Sequence, residues 1–311
     1  MKRLQNRIAE SGLTLPVMSV YGLGVWMASG LVSHGWWPQL ACFVLSVYLM
    51  AEMNNAFSLL RVRSRMVSGV FIALMCTMTF TFASLECSLL QLLAIAALLL
   101  LLSTYQDKQA LGRIYYSFLI LGLASLTFVQ VLWLVPLLWL LTGTQLQAQS
   151  WRGLLASLTG LATPYWFLCV WFIYQRDFTP LTDHFAGVGS FAPLHYDLAA
   201  IGLGRLLPFV LIAVLTVTGI VHFWRNSIDE KIRIRLLYGL FAWLTLAVLL
   251  VVALQPQHYD PLMRLAVITA SPLIAHFLTL TSSKITNIAF FAIAAITLAV
   301  TIINLIHCAS L

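Results

Sequence analysis

Residues 114–150 read IYYSFLILGLASLTFVQVLWLVPLLWLLTGTQLQAQS, between Arg113 and Arg152, without one charged side chain. A bilayer core needs roughly 20 apolar residues per helical crossing. The stretch is therefore too long for one crossing and slightly short for two with a turn. Gln130 stands near its middle and Pro136 follows soon after, where a helix is apt to break. Three arrangements fit: two shortened helices meeting below the outer surface, a re-entrant hairpin shielded by protein, or two short tilted spans with a tight turn. The expectation is short or re-entrant helices over 114–147 that cross an even number of times.

The surrounding chain has the same character. Hydrophobic residues make up 61% of the 311 positions and charged residues 9%, where a soluble domain carries about 25% charged residues. Mean hydropathy is +0.94. Besides 114–147, apolar windows of spanning length fall at 14–33, 37–57, 66–85, 88–105, 153–174, 205–224, 236–254, 262–281 and 285–307. Leu and Ala dominate them, Gly is scattered inside, and no ten-residue alternation recurs, which is the pattern of packed helices rather than barrel strands. The expected fold is all-α: a polytopic transmembrane helical bundle of about eleven spans, forming a single integral membrane domain over 1–311. The apolar run behind the charged N-terminal MKRLQNRIAESGLTLP is a full span without a small-residue cleavage site, so no cleaved signal is expected there.

Basic residues orient the bundle. They cluster before the first window, in LLRVRSRM (59–66), around Lys108 and Arg113, at Arg152, in FWRNSIDEKIRIRLL (223–237) and at Lys284. With the N-terminus cytoplasmic, those places hold all but Arg176, Arg205 and Arg264 of the 17 Lys and Arg residues. The net charge of +7 thus follows from membrane topology, and no nucleic-acid partner is expected. Five cysteines without CxxC spacing give neither a disulfide framework nor a metal site, and no cofactor is expected. Walker A, GxSxG, HExxH and Gly-rich dinucleotide signatures are all absent.

Two polar groupings are candidate sites. The tripeptide His-Tyr-Asp occurs at 195–197 and again at 258–260, and this topology puts both copies on the outer face. Asp183, His195, Asp197, His258, Asp260 and Arg264 then form a candidate outer polar site: His with Asp suits acid–base work and Arg264 suits an anion. The plain alternative is that outer loops carry the polar residues a membrane protein exposes somewhere. The second grouping is Glu52 with Asn55, on one helical face near the inner end of the second span. Glu52 either contacts a ligand or pairs structurally with a neighbouring helix or Arg61. His222 and His276 read as hydrogen-bonded helix residues. Tyr165, Trp166 and Trp171 either line a groove for an acyl chain or sugar, or simply pack.

The segments LLLLLSTYQDKQALGRIYYSFLILGLASLTFVQVLWLVPLLWLL, WRGLLASLTGLATPYWFLCVWF and NNAFSLLRVRSRM resemble a group of multi-pass inner-membrane proteins from Bacteroidota, over roughly residues 50–175. The short apolar middle helices are also similar to the membrane part of GT-C glycosyltransferases. That resemblance implies a cell-envelope protein of the bacterial inner membrane, membrane lipid as partner and an isoprenoid-linked glycan as substrate. Those enzymes keep an acidic residue in the first outer loop, but here VSHGWWPQ (32–39) has His34 and no Asp or Glu. A GT-C-like chain would therefore have lost the chemistry or moved its carboxylate, for instance to Glu86 or Asp183. Two other readings stand beside it: a non-catalytic membrane subunit packed on a protein partner, and a small-molecule transporter using Glu52 and the 114–147 region.

Overall fold

The computed structural model describes residues 3–191, 202–281 and 283–309, and every regular element among them is a helix. They cluster into two compact units, Met1–Leu85 with His195–Leu311 and Glu86–Leu194.

The larger unit contains α1 (Leu4–Glu10), α2 (Thr14–Ala28), α3 (Leu31–His34), α4 (Trp37–Phe57) and α5 (Met66–Cys76). In the order used here, α6 to α10 belong to the smaller unit, and α11 (Leu203–Asn226), α12 (Ile232–Leu254), α13 (Tyr259–Leu280) and α14 (Lys284–Ala309) complete the larger one. At its centre lies α13, whose apolar window is 94% buried. Its sequence, YDPLMRLAVITASPLIAHFLTL, is apolar through its middle and carries Asp260, Arg264 and His276 towards its two ends. It packs on α5, α11 and α12. A Cβ on Gly219 of α11 would lie 2.9 Å from the Leu273 carbonyl oxygen, so at that crossing the two backbones touch.

One expected span is broken, and the first is preceded by a short bent helix. α1 meets α2 at 86° and is clamped to the far end of α13: the Gln5 side-chain amide donates to the Leu278 carbonyl at 2.5 Å and to Thr281 Oγ1 at 2.8 Å. The 66–85 window is helical only to Cys76, and the chain then passes into a short 3-10 turn, Thr79–Thr81. The break frees backbone carbonyls that no water reaches in a bilayer. Asn304 of α14 takes up one of them, donating to the Thr77 carbonyl at 2.6 Å.

In the smaller unit are α6 (Leu85–Leu102), α7 (Leu111–Thr127), a 3-10 turn (Val129–Leu134), α8 (Val135–Thr144), α9 (Trp151–Gln175), α10 (Thr179–Ala186) and a final 3-10 turn, Gly187–Gly189. The Gln106 N–H donates to the Leu146 carbonyl at 2.8 Å, so the segment between leaves and returns at one end. It is a hairpin of two short helices with an unwound tip at Phe128. At that tip the Gln130 amide donates to the Gly187 carbonyl at 3.2 Å and the Trp133 indole to the Val188 carbonyl at 3.1 Å. Those acceptors follow α10, which folds back onto Tyr165 in the middle of α9, so the hairpin covers only part of that helix. Short helices thus occupy 114–147, as expected.

α7 and α9 lie parallel. The buried residues of α9 are Gly153, Ser157, Gly160 and Pro164, a spacing of four, three and four that forms one stripe. A Cβ on Gly122 of α7 would come within 2.9 Å of the Leu161 carbonyl oxygen, and one on Gly160 would collide with the Tyr115 carbonyl. Small residues thus let the backbones meet where lipid offers no hydrophobic drive for association.

Among the described residues, seven helices are long and apolar enough to cross a membrane, or eight if α1 and α2 form one bent span; α5, α7 and the Val129–Thr144 segment are shorter apolar pieces. The molecule is therefore an all-helical, multi-pass membrane protein, with fewer unbroken spans than the eleven expected. The hydropathy windows count apolar residues and do not register the backbone breaks at 11–13, 77–78 and 128.

The α7–α9 contact makes a direct prediction. Gly160→Val should lower the thermal midpoint of the detergent-purified protein by several degrees, since overpacking costs about 1–3 kcal/mol. Gly112→Ala, where a Cβ meets nothing within 4 Å, should leave it unchanged. Equal midpoints for the two variants would contradict the packing described.

Candidate functional site

The main polar cluster of the larger unit is built around Glu230. The chain leaves α11 through a 3-10 turn, Ser227–Asp229, and Glu230 is extended behind it with its side chain only 3% exposed. Arg61 Nε donates to Glu230 Oε1 at 2.6 Å. His276 Nε2, on α13, approaches the same oxygen at 3.4 Å. The Tyr238 hydroxyl, from α12, donates to the Leu59 carbonyl at 3.2 Å and holds the Arg61 loop in place. Phe223 and Tyr238 pack around the imidazole, with ring centroids 5.1 and 4.9 Å from it. His222 lies beyond, 5.6 Å from His276 between centroids. A carboxylate in this position is tolerated because it is paired. No group of three or more His, Cys, Asp or Glu among the described residues could hold a metal ion.

At the other end of α13, the expected outer residues go separate ways. Arg264 is 2% exposed and points inward, its Nη2 donating to the Thr81 carbonyl at 2.6 Å and to Thr81 Oγ1 at 3.1 Å. It anchors the 3-10 turn that follows the α5 break. Asp260, one helical turn earlier, pairs with Arg205 Nη2 at 3.1 Å. The Arg205 guanidinium sits over Phe80 and Tyr259, at 5.7 and 6.0 Å. His258 is half-buried beside Gln257, with 3.2 Å between its Nε2 and the amide nitrogen. His195 and Asp197 lie outside the described residues. Asp183 belongs to the smaller unit, exposed on α10. Glu52 and Asn55 are both exposed, while their neighbour Asn54 is buried and donates to the Ser64 carbonyl at 2.9 Å. The partner weighed for Glu52, Arg61, is committed to Glu230 instead.

The smaller unit holds a second arrangement. An apolar crevice of about 460 Å³ lies between the hairpin and α9, lined among others by Leu132, Pro136, Trp139, Leu158, Ala162 and Phe185. The Tyr165 hydroxyl, also in its wall, bonds Ser125 Oγ at 2.6 Å and lies 3.3 Å from His184 Nε2. α10 is amphipathic and brings His184 and Phe185 onto Tyr165. Burial pushes the His184 imidazole pKa down, so it is neutral at pH 7. Of the three aromatics named from the sequence, Tyr165 lines the crevice, while Trp166 and Trp171 are 71% and 54% exposed. A further apolar cavity of about 240 Å³, in the larger unit, is lined by residues including Thr14, Met18, Tyr21, Gly69, Ile274 and Phe290.

No family model, curated protein or solved structure matches the chain.

Sequence reasoning passed over Glu230 and Ser125, and placed His184 only among the outer polar residues. Glu230 sits in SIDEKIRIR, which reads as a solvated charged loop, and its burial depends on long-range packing. The buried and exposed ion pairs should differ in weight. Glu230→Ala strands a buried imidazole and frees a half-exposed arginine, a loss of about 3 kcal/mol, whereas Asp260→Ala should cost less than about 1 kcal/mol. Chemical unfolding of the two variants in the same detergent checks the order, and a reversal would contradict it.

Proposed function

We propose that this membrane protein binds a polar-headed molecule with a long apolar chain, holding the chain in the smaller unit's crevice and the head at Tyr165 and His184. The carrying observation is the join between the two: a crevice of about 460 Å³ with apolar walls that ends on a hydrogen-bonded Ser125–Tyr165–His184 group. In a bilayer the chain gains little by moving from lipid to an apolar wall, because both are equally apolar. Selectivity therefore rests on the polar end, where hydrogen bonds form away from water.

The finer form of this reading is an isoprenoid-linked envelope glycan handled at the outer face of a bacterial inner membrane, with a GT-C-like helix layout and the shifted carboxylate at Asp183. Eleven crossings, with the N-terminus cytoplasmic, would follow if α2, α5, α7 and the Val129–Thr144 segment also cross. A second reading, a subunit packed on a protein partner, draws on the face of α9 that carries Trp151, Trp166, Phe167, Trp171 and Tyr174, each more than half exposed.

Native mass spectrometry of the protein, with a polyprenyl phosphate and a phospholipid of matched chain length as probes, tests the first reading. The polyprenyl phosphate should be retained preferentially. Ala162→Trp, which fills the crevice, should abolish that preference, and Tyr165→Phe should weaken it about tenfold, the equivalent of one lost hydrogen bond of roughly 1.4 kcal/mol. Equal retention of both probes by wild type, or no change in Ala162→Trp, would remove the crevice as the site.

A further inference from the structure

Arg61 spends one nitrogen of its guanidinium and keeps the other two. Its Nε donates to Glu230 Oε1 at 2.6 Å, and neither Nη nitrogen hydrogen-bonds another of the described residues. The side chain is 46% exposed, whereas the carboxylate behind it is 3% exposed. The pair Nη1 and Nη2 carries four N–H donors in one plane, and that edge is left for another acceptor.

The chain around Arg61 is arranged to hold it still. Ser58 turns the backbone out of α4 with φ at +50°, a left-handed conformation that costs a non-glycine residue some strain. The Leu59 carbonyl accepts from the Tyr238 hydroxyl at 3.2 Å, and the Ser64 carbonyl accepts from the Asn54 amide at 2.9 Å. The Ser64 hydroxyl donates to the Ala9 carbonyl of α1. Leu59 and Leu60 are buried. The loop is thus pinned on both sides of Arg61, and Glu230 fixes the side chain itself. Basic residues that only set topology need no such ties, because their number near the membrane is what counts.

Charge favours an anion at the open edge. Residues 58–65 and 225–235 hold seven Lys and Arg against two carboxylates, Asp229 and Glu230. Glu230 offsets Arg61 but not its neighbours, so a net positive field remains. Arg233 contributes from above the Phe57 ring, 5.6 Å from its centroid, at the end of α4 where the loop begins.

We infer that the larger unit binds a phosphate group at the Nη edge of Arg61, with Glu230 as the positioning residue behind it. Two phosphate oxygens match the fork of two Nη groups and take two parallel charge-assisted hydrogen bonds. A phosphate monoester also carries more negative charge than a carboxylate, which suits the surplus of basic residues. The group arrives on a soluble compound or on a lipid headgroup, and the recognition chemistry is the same. This site is separate from the crevice of the smaller unit and does not depend on it.

Isothermal titration calorimetry of the full-length protein in detergent tests the site, with inorganic phosphate and dihexanoyl phosphatidic acid as probes. Binding of inorganic phosphate alone supports the site with a soluble ligand. Binding of phosphatidic acid alone supports it with a membrane lipid, and binding of both places recognition in the phosphate itself. Arg61→Lys keeps a cation for Glu230 and so spares the fold, but it loses the fork and should weaken binding at least about tenfold, the worth of one charge-assisted hydrogen bond. Arg63→Gln removes a full charge from the same loop and should change binding less than about threefold, as a surface charge does. Glu230→Gln adds positive charge yet loosens Arg61, and should weaken binding severalfold, where a diffuse basic patch would bind more tightly. Ala162→Trp, which fills the crevice, should bind as wild type does. The inference is overturned if neither probe binds, if Arg63→Gln costs as much as Arg61→Lys, if Glu230→Gln binds as tightly as wild type or more so, or if Ala162→Trp abolishes binding.

Discussion

A helix enclosed on all sides inside a membrane protein has no water to turn to, and α13 is such a helix. Every polar group it carries must find its partner in the protein. Arg264 finds the Thr81 turn, His276 finds Glu230, and each partner lies where another element has broken or ended. The interruption of α5 at Cys76 places a carbonyl and a hydroxyl opposite the Arg264 guanidinium. The turn behind α11 places a carboxylate opposite His276. The architecture of the larger unit can be understood as the set of backbone breaks that satisfy one buried helix at its two ends.

The smaller unit obeys the same constraint by a different route. α7 and α9 come close enough for glycines to touch carbonyls, and their hydroxyl groups are spent on each other, as Tyr115 is on Thr163 at 3.0 Å and Trp139 of α8 on Ser157 at 3.0 Å. The short hairpin then cannot fill the full side of the longer α9, and the crevice is what remains between them. Its polar end exists because α10 folds back and brings His184 against Tyr165. Packing and candidate binding surface are therefore products of one mismatch in helix length.

How much of this was legible beforehand follows from what a sequence records. The uncharged run over 114–147 could be read as something other than one plain span, because its length and its lack of charge were both visible, but which of three arrangements it took was not. The breaks at Ser11–Leu13 and at Thr77 were harder to see, since neither carries proline or a charge; tertiary hydrogen bonds from Gln5 and Asn304 hold the chain near them. Polar residues were easy to find and hard to pair. Asp260 and Arg264 look like one outer site on a line of text and share a helical face, but Asp260 lies at the first turn of α13 and pairs with Arg205, while Arg264, one turn deeper, is buried on Thr81. Glu230 was hidden by its neighbours, because a carboxylate among lysine and arginine reads as solvated until the fold buries it. Glu52, the carboxylate that stood out inside an apolar window, is exposed.

The central claim is that α13 crosses the membrane as an enclosed helix, with its Arg264 end and its His276 end on opposite sides. Single cysteines at Gln257 and at Lys284, placed in a protein whose five native cysteines have been replaced, flank that helix. A membrane-impermeant thiol reagent applied to sealed vesicles, before and after permeabilisation, reports the side of each. The account predicts that one is labelled from outside and the other only after the membrane is opened. Labelling of both from the same side would mean that α13 does not span, and the pairing scheme built on it would fall.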